Sequence, residues 1–168
     1  MKLIRVTKNR IARNYLIITF NFLIMVSVNP YLLFNGTAEA ALNFYKSIFG
    51  GEFSDFNKFK DMPGGEKLSA VEQEYIMHIA YPLTDGSTIF ASDSLPSQHS
   101  TVMVGNNFQM SISCESEAET TQLYNALGEG GRVVMKLEKT FWNAYFGMVT
   151  DKFGICWMLN YDYPNETV

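Results

Sequence analysis

Cysteine is scarce in this chain: Cys114 and Cys156 are the two thiols, and neither belongs to a CxxC or lies near a histidine at metal-ligand spacing. A disulfide framework is thereby excluded, and both residues read as inert buried thiols of a protein kept in a reducing compartment, the cytoplasm. Basic charge is short as well. Thirteen Lys and Arg against 17 Asp and Glu leave a net charge of -4, so no basic surface points to a nucleic-acid partner. The apolar run over residues 15–28, YLIITFNFLIMVSV, is broken by Asn21, and at 14 residues it falls short of the ~20 that span a bilayer. No membrane partner is expected. Also missing are a Ser, His and Asp order, paired carboxylates near a histidine, and a phosphate loop.

What the chain has in quantity is apolar surface. Of 168 residues, 47% are hydrophobic and 14% aromatic, enough for one substantial core or two small modules sharing one. The aromatics lack interleaved Lys and Arg, which suits an apolar pocket better than a phosphate track. Their densest stretch is Lys139 to Tyr161, KTFWNAYFGMVTDKFGICWMLNY. It reads as two strands joined at Asp151-Lys152-Phe153-Gly154, where the Asp bonds its own backbone and the Gly lets the chain reverse. Asp151 is accordingly expected to begin this turn.

Residues 1–28 stand apart from the rest. Lys2, Arg5, Lys8, Arg10 and Arg13 precede the apolar run, the outline of a signal peptide without the small-residue cleavage site that completes one. The segment is expected to be either an extension upstream of a domain beginning near Met25 or an apolar tail docked on a partner subunit.

From Pro30 the pattern is regular. Tyr31 to Phe34 reads as a strand, Asn35-Gly36 as a turn, and Thr37 as the N-cap of a helix running to Phe49. Ala38, Ala41, Leu42, Tyr45, Ile48 and Phe49 recur at the spacing of one buried stripe, and Gly50-Gly51 ends the helix. Strands are expected over Phe53 to Phe59, Glu74 to Tyr81 and Ser87 to Ser92, with a loop from Lys60 to Ala70. After a polar connector the order recurs: strand Phe108 to Cys114, helix Ser116 to Leu127 opened by a Ser116-x-x-Glu119 capping box, strand Gly131 to Leu137, and the closing hairpin. The expected fold is therefore α+β: one domain over residues 29–168 made of two βαβββ modules, about 29–93 and 107–162, whose curved mixed sheets form a cleft.

Several segments resemble one family. Pro30-Tyr31-Leu32-Leu33-Phe34, Ala38-Glu39-Ala40 with Phe44-Tyr45, Met62-Pro63, Met77-His78, Ser92-Asp93 and above all Thr140-Phe141-Trp142 through FGMVTDKFGICWMLN are similar to the PhnB-like proteins. These belong to the glyoxalase, bleomycin-resistance and ring-cleaving dioxygenase superfamily, also called vicinal oxygen chelate proteins. The resemblance covers about residues 29–162 and implies paired βαβββ modules and a homodimer, but no particular reaction. Some PhnB-like proteins carry a demethylubiquinone methyltransferase label; this sequence has no Gly-rich nucleotide-binding turn after a strand to support it.

Metal-dependent relatives place a His, Glu or Gln ligand on the first and last strand of each module, because a divalent ion needs several N or O donors and open positions for substrate oxygens. The corresponding positions here hold Asn29 or Pro30, Phe90 or Ala91, Gln109 and Met158. One plausible donor in four cannot assemble the centre, so neither metal nor other cofactor is expected.

His78, on an alternating strand, is either aimed into the cleft as a base or ligand-orienting group, or buried and hydrogen-bonded. Asp93 either caps a turn or presents a carboxylate at the cleft mouth. Trp142 and Phe146 are aromatic walls for a flat or apolar ligand, or core residues. In the last strand Cys156, Met158 and Asn160 share one face, with Asn160 its polar member. His99 lies in a polar connector and is expected to be solvated. The ligand-binding set is thus His78, Gln109, Trp142, Phe146, Met158 and Asn160, in a homodimer that takes a small-molecule ligand; the alternative is an enzyme in which His78, with Asp93, moves a proton on a small organic or phosphonate-related substrate. Metal analysis of protein purified without chelator is expected to find no tightly bound ion, and one equivalent per chain would contradict the reading of those four positions.

Overall fold

The structure, a computed structural model, describes residues 27–98 and 101–164; the expectations for the segment before Ser27 and for His99 fall outside them. The first strand, Tyr31–Phe34 (β1), alternates exposed and buried side chains, with Leu32 and Phe34 inward. Gly36 turns the chain at φ 83°, where a Cβ would lie 2.6 Å from the Tyr75 ring. The helix Ala38–Phe49 (α1) follows and buries Ala38, Ala41, Leu42 and Tyr45 along the expected stripe. Thr37 occupies its N-cap position, but the Thr37 side chain makes no capping bond.

The second strand, Asp55–Lys58 (β2), is shorter than its alternation suggests, because the chain tightens into a 3-10 turn at Phe59–Asp61. The stretch read as a loop also has structure. A second 3-10 turn spans Gly65–Lys67, and a short helix, Ala70–Gln73 (α2), is opened by a capping box between Ser69 and Glu72. Ile76–Pro82 (β3) and Thr88–Asp93 (β4) complete the first module. The second comprises Met110–Ser113 (β5), Glu117–Gly128 (α3), Arg132–Lys139 (β6), Ala144–Thr150 (β7) and Cys156–Asp162 (β8). Ser116 caps α3, its hydroxyl accepting from the Glu119 amide at 3.1 Å, but the expected box is not closed, because the Glu119 carboxylate accepts instead from the Glu115 amide at 2.7 Å.

The strand orders β1-β4-β3-β2 and β5-β8-β7-β6 are the same arrangement twice, each with one parallel pair (β1 with β4, β5 with β8) and antiparallel neighbours otherwise. Two α+β modules with mixed sheets are thus present. Their helix-bearing sides are not separate cores. Leu32, Ile79 and Ala91 of the first sheet, Leu42 and Tyr45 of α1, and Val149, Trp157 and Leu159 of the second sheet form one buried cluster. In the second module α3 sits close on β7, since a Cβ at Gly147 would meet the Tyr124 ring at 2.8 Å. Among the described residues no helix is long and apolar enough to cross a membrane.

One carboxylate ties the modules together. Asp151, 4% exposed, receives the Tyr45 hydroxyl of α1 and the Trp157 indole N–H on Oδ2, both at 2.8 Å, and the amides of Phe153 and Ile155 on Oδ1 at 2.8 and 3.0 Å. It does begin the expected turn, yet its larger role is long-range. Around it Tyr45 meets Trp157 edge-on at 5.2 Å, Phe44 packs on Phe153, and the Lys152 ammonium lies 4.1 Å above the Phe44 ring. Burial, and then the Asp151 charge, push the Tyr45 phenol far above its ordinary range. Replacing Asp151 by Asn sets an NH2 group against hydrogen-bond donors, and is expected to cost about 3 kcal/mol in urea unfolding, against about 1 kcal/mol for Tyr45→Phe. Equal small losses would contradict the carboxylate's central place.

Candidate functional site

Alternation along the strands divides each sheet into a helix-bearing face and an open one. In the first sheet Leu32, Phe34, Ile79, Tyr81, Ile89 and Ala91 are buried on the helix side. Tyr31, Phe90 and His78 occupy the open side on three adjacent strands. Their rings form a cluster: His78 stacks on Phe90 at 5.6 Å, Tyr31 stacks on Phe90 at 6.2 Å, and the Tyr31 hydroxyl lies 3.3 Å from His78 Nδ1. His78 is half-buried, so it is neither a core histidine nor a free one.

In the second sheet Val149, Trp157 and Leu159 are buried on the helix side. The register pairs Phe146 with Asn160 and Met148 with Met158 on the open side. Trp142 sits in the β6–β7 turn, 6.0 Å edge-on to Phe146. That turn is held in place by Asn143, at φ 63°, whose carbonyl accepts from the Tyr163 amide at 3.0 Å. Phe141 beside it is 96% exposed. Four sequence candidates, Trp142, Phe146, Met158 and Asn160, therefore share one surface, while His78 belongs to the other sheet. Gln109 is exposed, one residue before β5.

Asp93 has a different task from either one expected of it. Its Oδ1 accepts from the Ala38 amide at the start of α1 and its Oδ2 from the Ile76 amide at the start of β3, both at 2.9 Å. It is 5% exposed and stands on the helix side of its sheet, opposite Phe34 across the β1–β4 pair. A carboxylate there completes the helix cap that Thr37 leaves open and faces the positive end of the helix. It is separated by the sheet from the open face that carries His78, so the two form no acid-base pair.

The donors available to a metal are correspondingly poor. Asn29 Oδ1 is engaged by the Thr88 amide at 2.9 Å, the Phe90 ring belongs to the aromatic cluster, and Met158 offers a thioether. This set does not fit a hard divalent ion. Among the described residues no three of His, Cys, Asp and Glu gather as ligands. The cysteines are half-buried rather than fully buried, and burial raises the Cys114 thiol.

Two hollows were not legible in the sequence, and Tyr31 of the ring cluster lines the smaller one. One of about 770 Å³ opens between the modules, lined by Ile48, Phe49, Ile89, Ile112, Leu123 and Trp157. Another of about 390 Å³ lies between β1, the connector near Met103 and Val104, and the β7–β8 turn.

The family model described as 3-demethylubiquinone-9 3-methyltransferase matches residues 26–160. This chain belongs to that family, the PhnB-like proteins. It is 36% identical to PA1353 of Pseudomonas aeruginosa, whose structure superposes with a TM-score of 0.73 over 82% of this chain and 98% of that one. Protein YjdN of Escherichia coli K12 is 30% identical, covering 79% of this chain and 93% of its own length. A Bacillus cereus PhnB protein described as a putative 3-demethylubiquinone-9 3-methyltransferase is 25% identical, with a TM-score of 0.65 over 81% and 99% of the two chains. Glyoxalase and bleomycin-resistance-type structures share the fold. For this PhnB-like chain, Asp93→Ala is expected to lower stability by about 2 kcal/mol in urea unfolding by stranding two buried amides. A loss below about 0.5 kcal/mol, the size of an ordinary surface substitution, would contradict its capping role.

Proposed function

We propose that this protein binds a small, flat or apolar organic molecule on the open faces of its sheets, without a metal centre. The observation that carries this reading is the chemistry of those faces: a Tyr31, His78 and Phe90 ring cluster on one, and Trp142, Phe146, Met148 and Met158 with Asn160 on the other. Such surfaces bind by area and stacking, with a few polar groups to orient the ligand.

Because the helix sides of the two sheets share one core, the open faces look outward, and a cleft needs a second wall. A second copy of the chain supplies it, with one sheet of each protomer facing the other's. Exposed apolar residues on both modules support the pairing: Tyr31 and Leu33 are 51% and 52% exposed, and Trp142 48%. The free thiols Cys114 and Cys156 fit residence in the cytoplasm.

Methyl transfer, the activity in the family model's description, has less support. A methyl donor of nucleotide type is ordinarily held at the carboxyl ends of a doubly wound parallel sheet, and these two mixed sheets have another topology. Proton transfer by His78 is the second reading, favoured by the half-buried imidazole on an open face.

A thermal-shift screen of small molecules tests the proposal. Flat, weakly polar compounds are expected to raise the melting temperature of the full chain, which in solution weighs twice its 19.1 kDa. His78→Ala is expected to weaken their binding; abolished turnover of a ligand whose affinity is unchanged would establish the enzyme reading instead, and a monomer that binds nothing would overturn both.

A further inference from the structure

Tyr31 is half exposed, and its hydroxyl, 3.3 Å from His78 Nδ1, serves no core contact. Which nitrogen of a neutral imidazole carries the proton follows from the bond the other nitrogen makes. A phenol donates more readily than it accepts, because its ring draws on the oxygen lone pair, and a bare imidazole nitrogen is the acceptor that suits it. We propose that Tyr31 is a positioning residue that fixes His78 with its proton on Nε2, so that the site takes a planar, conjugated molecule carrying a neutral carbonyl oxygen, bound to Nε2–H. The inference rests on the ligand-binding reading above and gives that reading a chemical class.

Three observations converge on it. The ring planes of His78 and Tyr31 lie 26° and 25° from that of Phe90, so the imidazole is held in a stack that a flat ligand extends. With Nδ1 engaged, the polar group His78 has left is an N–H donor, which selects an acceptor. Asn57 lies opposite His78 across the β2–β3 pair and donates its amide to Asp55, which puts a negative charge on the same face and favours a neutral carbonyl over a carboxylate.

The test uses the full chain labelled with 15N-histidine, whose two histidines are resolved by comparison with His78→Gln. At about pH 8, where an ordinary imidazole is neutral, His78 is expected to show a protonated Nε2 and a hydrogen-bonded Nδ1. Tyr31→Phe is expected to move the Nδ1 resonance to the position of a bare nitrogen. A proton on Nδ1 in the wild-type protein would overturn the lock.

Benzamide, benzylamine and cyclohexanecarboxamide then separate the acceptor from the ring. Benzamide is expected to shift the Nε2 resonance and to bind about tenfold tighter than either analogue, with His78→Gln, which keeps an N–H near Nε2, within about threefold of wild type and His78→Leu about tenfold weaker. Equal affinity for the three probes, or benzamide failing where other compounds stabilise the protein, overturns the ligand class and leaves small-molecule binding standing. Absence of any ligand brings down the binding reading as well.

Discussion

The Asp151 carboxylate is the interaction on which the arrangement of this molecule depends. A buried carboxylate is costly unless nearly every lone pair finds a donor, and here four donors come from two distant parts of the chain. Tyr45 reaches it from the helix of the first module, Trp157 from the last strand of the second. The network fixes α1 against the closing hairpin, draws the helix sides of both sheets into one core, and turns the opposite faces outward. Asp93 does a smaller version of the same work within the first module, holding the starts of α1 and β3 from the end of β4.

What could be read from the sequence follows the range of the forces involved. The helices were legible because their signals are local: α1 runs from Ala38 to Phe49 along its stripe, and α3 starts behind Ser116, whose hydroxyl caps it. Strand existence was legible from alternation, while strand ends were not, since β2 and β5 are both shorter than their alternation. The helix α2 carries the same Ser-x-x-Glu signal as α3, at Ser69 and Glu72, and was hidden by the Met62-Pro63-Gly64-Gly65 loop signals beside it. The long-range roles were illegible. Asp151 and Tyr45 are 106 positions apart, and a turn-forming Asp looks the same in sequence whether or not a distant phenol finds it. Asp93 likewise gave no sign that it would cap a helix 55 residues earlier.

The candidate site divides in the same manner. Period-two alternation placed Met158 and Asn160 on one face, and the register adds Phe146 to it. That His78 would lie beside Tyr31 and Phe90 depends on the β1-β4-β3 order, which the sequence suggests only through a resemblance. The hairpin that carries the clearest family motif also carries Met158, a thioether at a position where relatives with a metal use a hard donor. The open faces that result are aromatic and thioether-rich, with His78 and Asn160 among their polar members.

Amide chemical-shift mapping of the full chain with a stabilising ligand tests this account most directly. Perturbations are expected at Tyr31, His78 and Phe90 together with Phe146 and Met158, on the faces away from the helices. Perturbations confined to Ile48, Phe49, Ile112 and Leu123, which line the hollow between the modules, would contradict it.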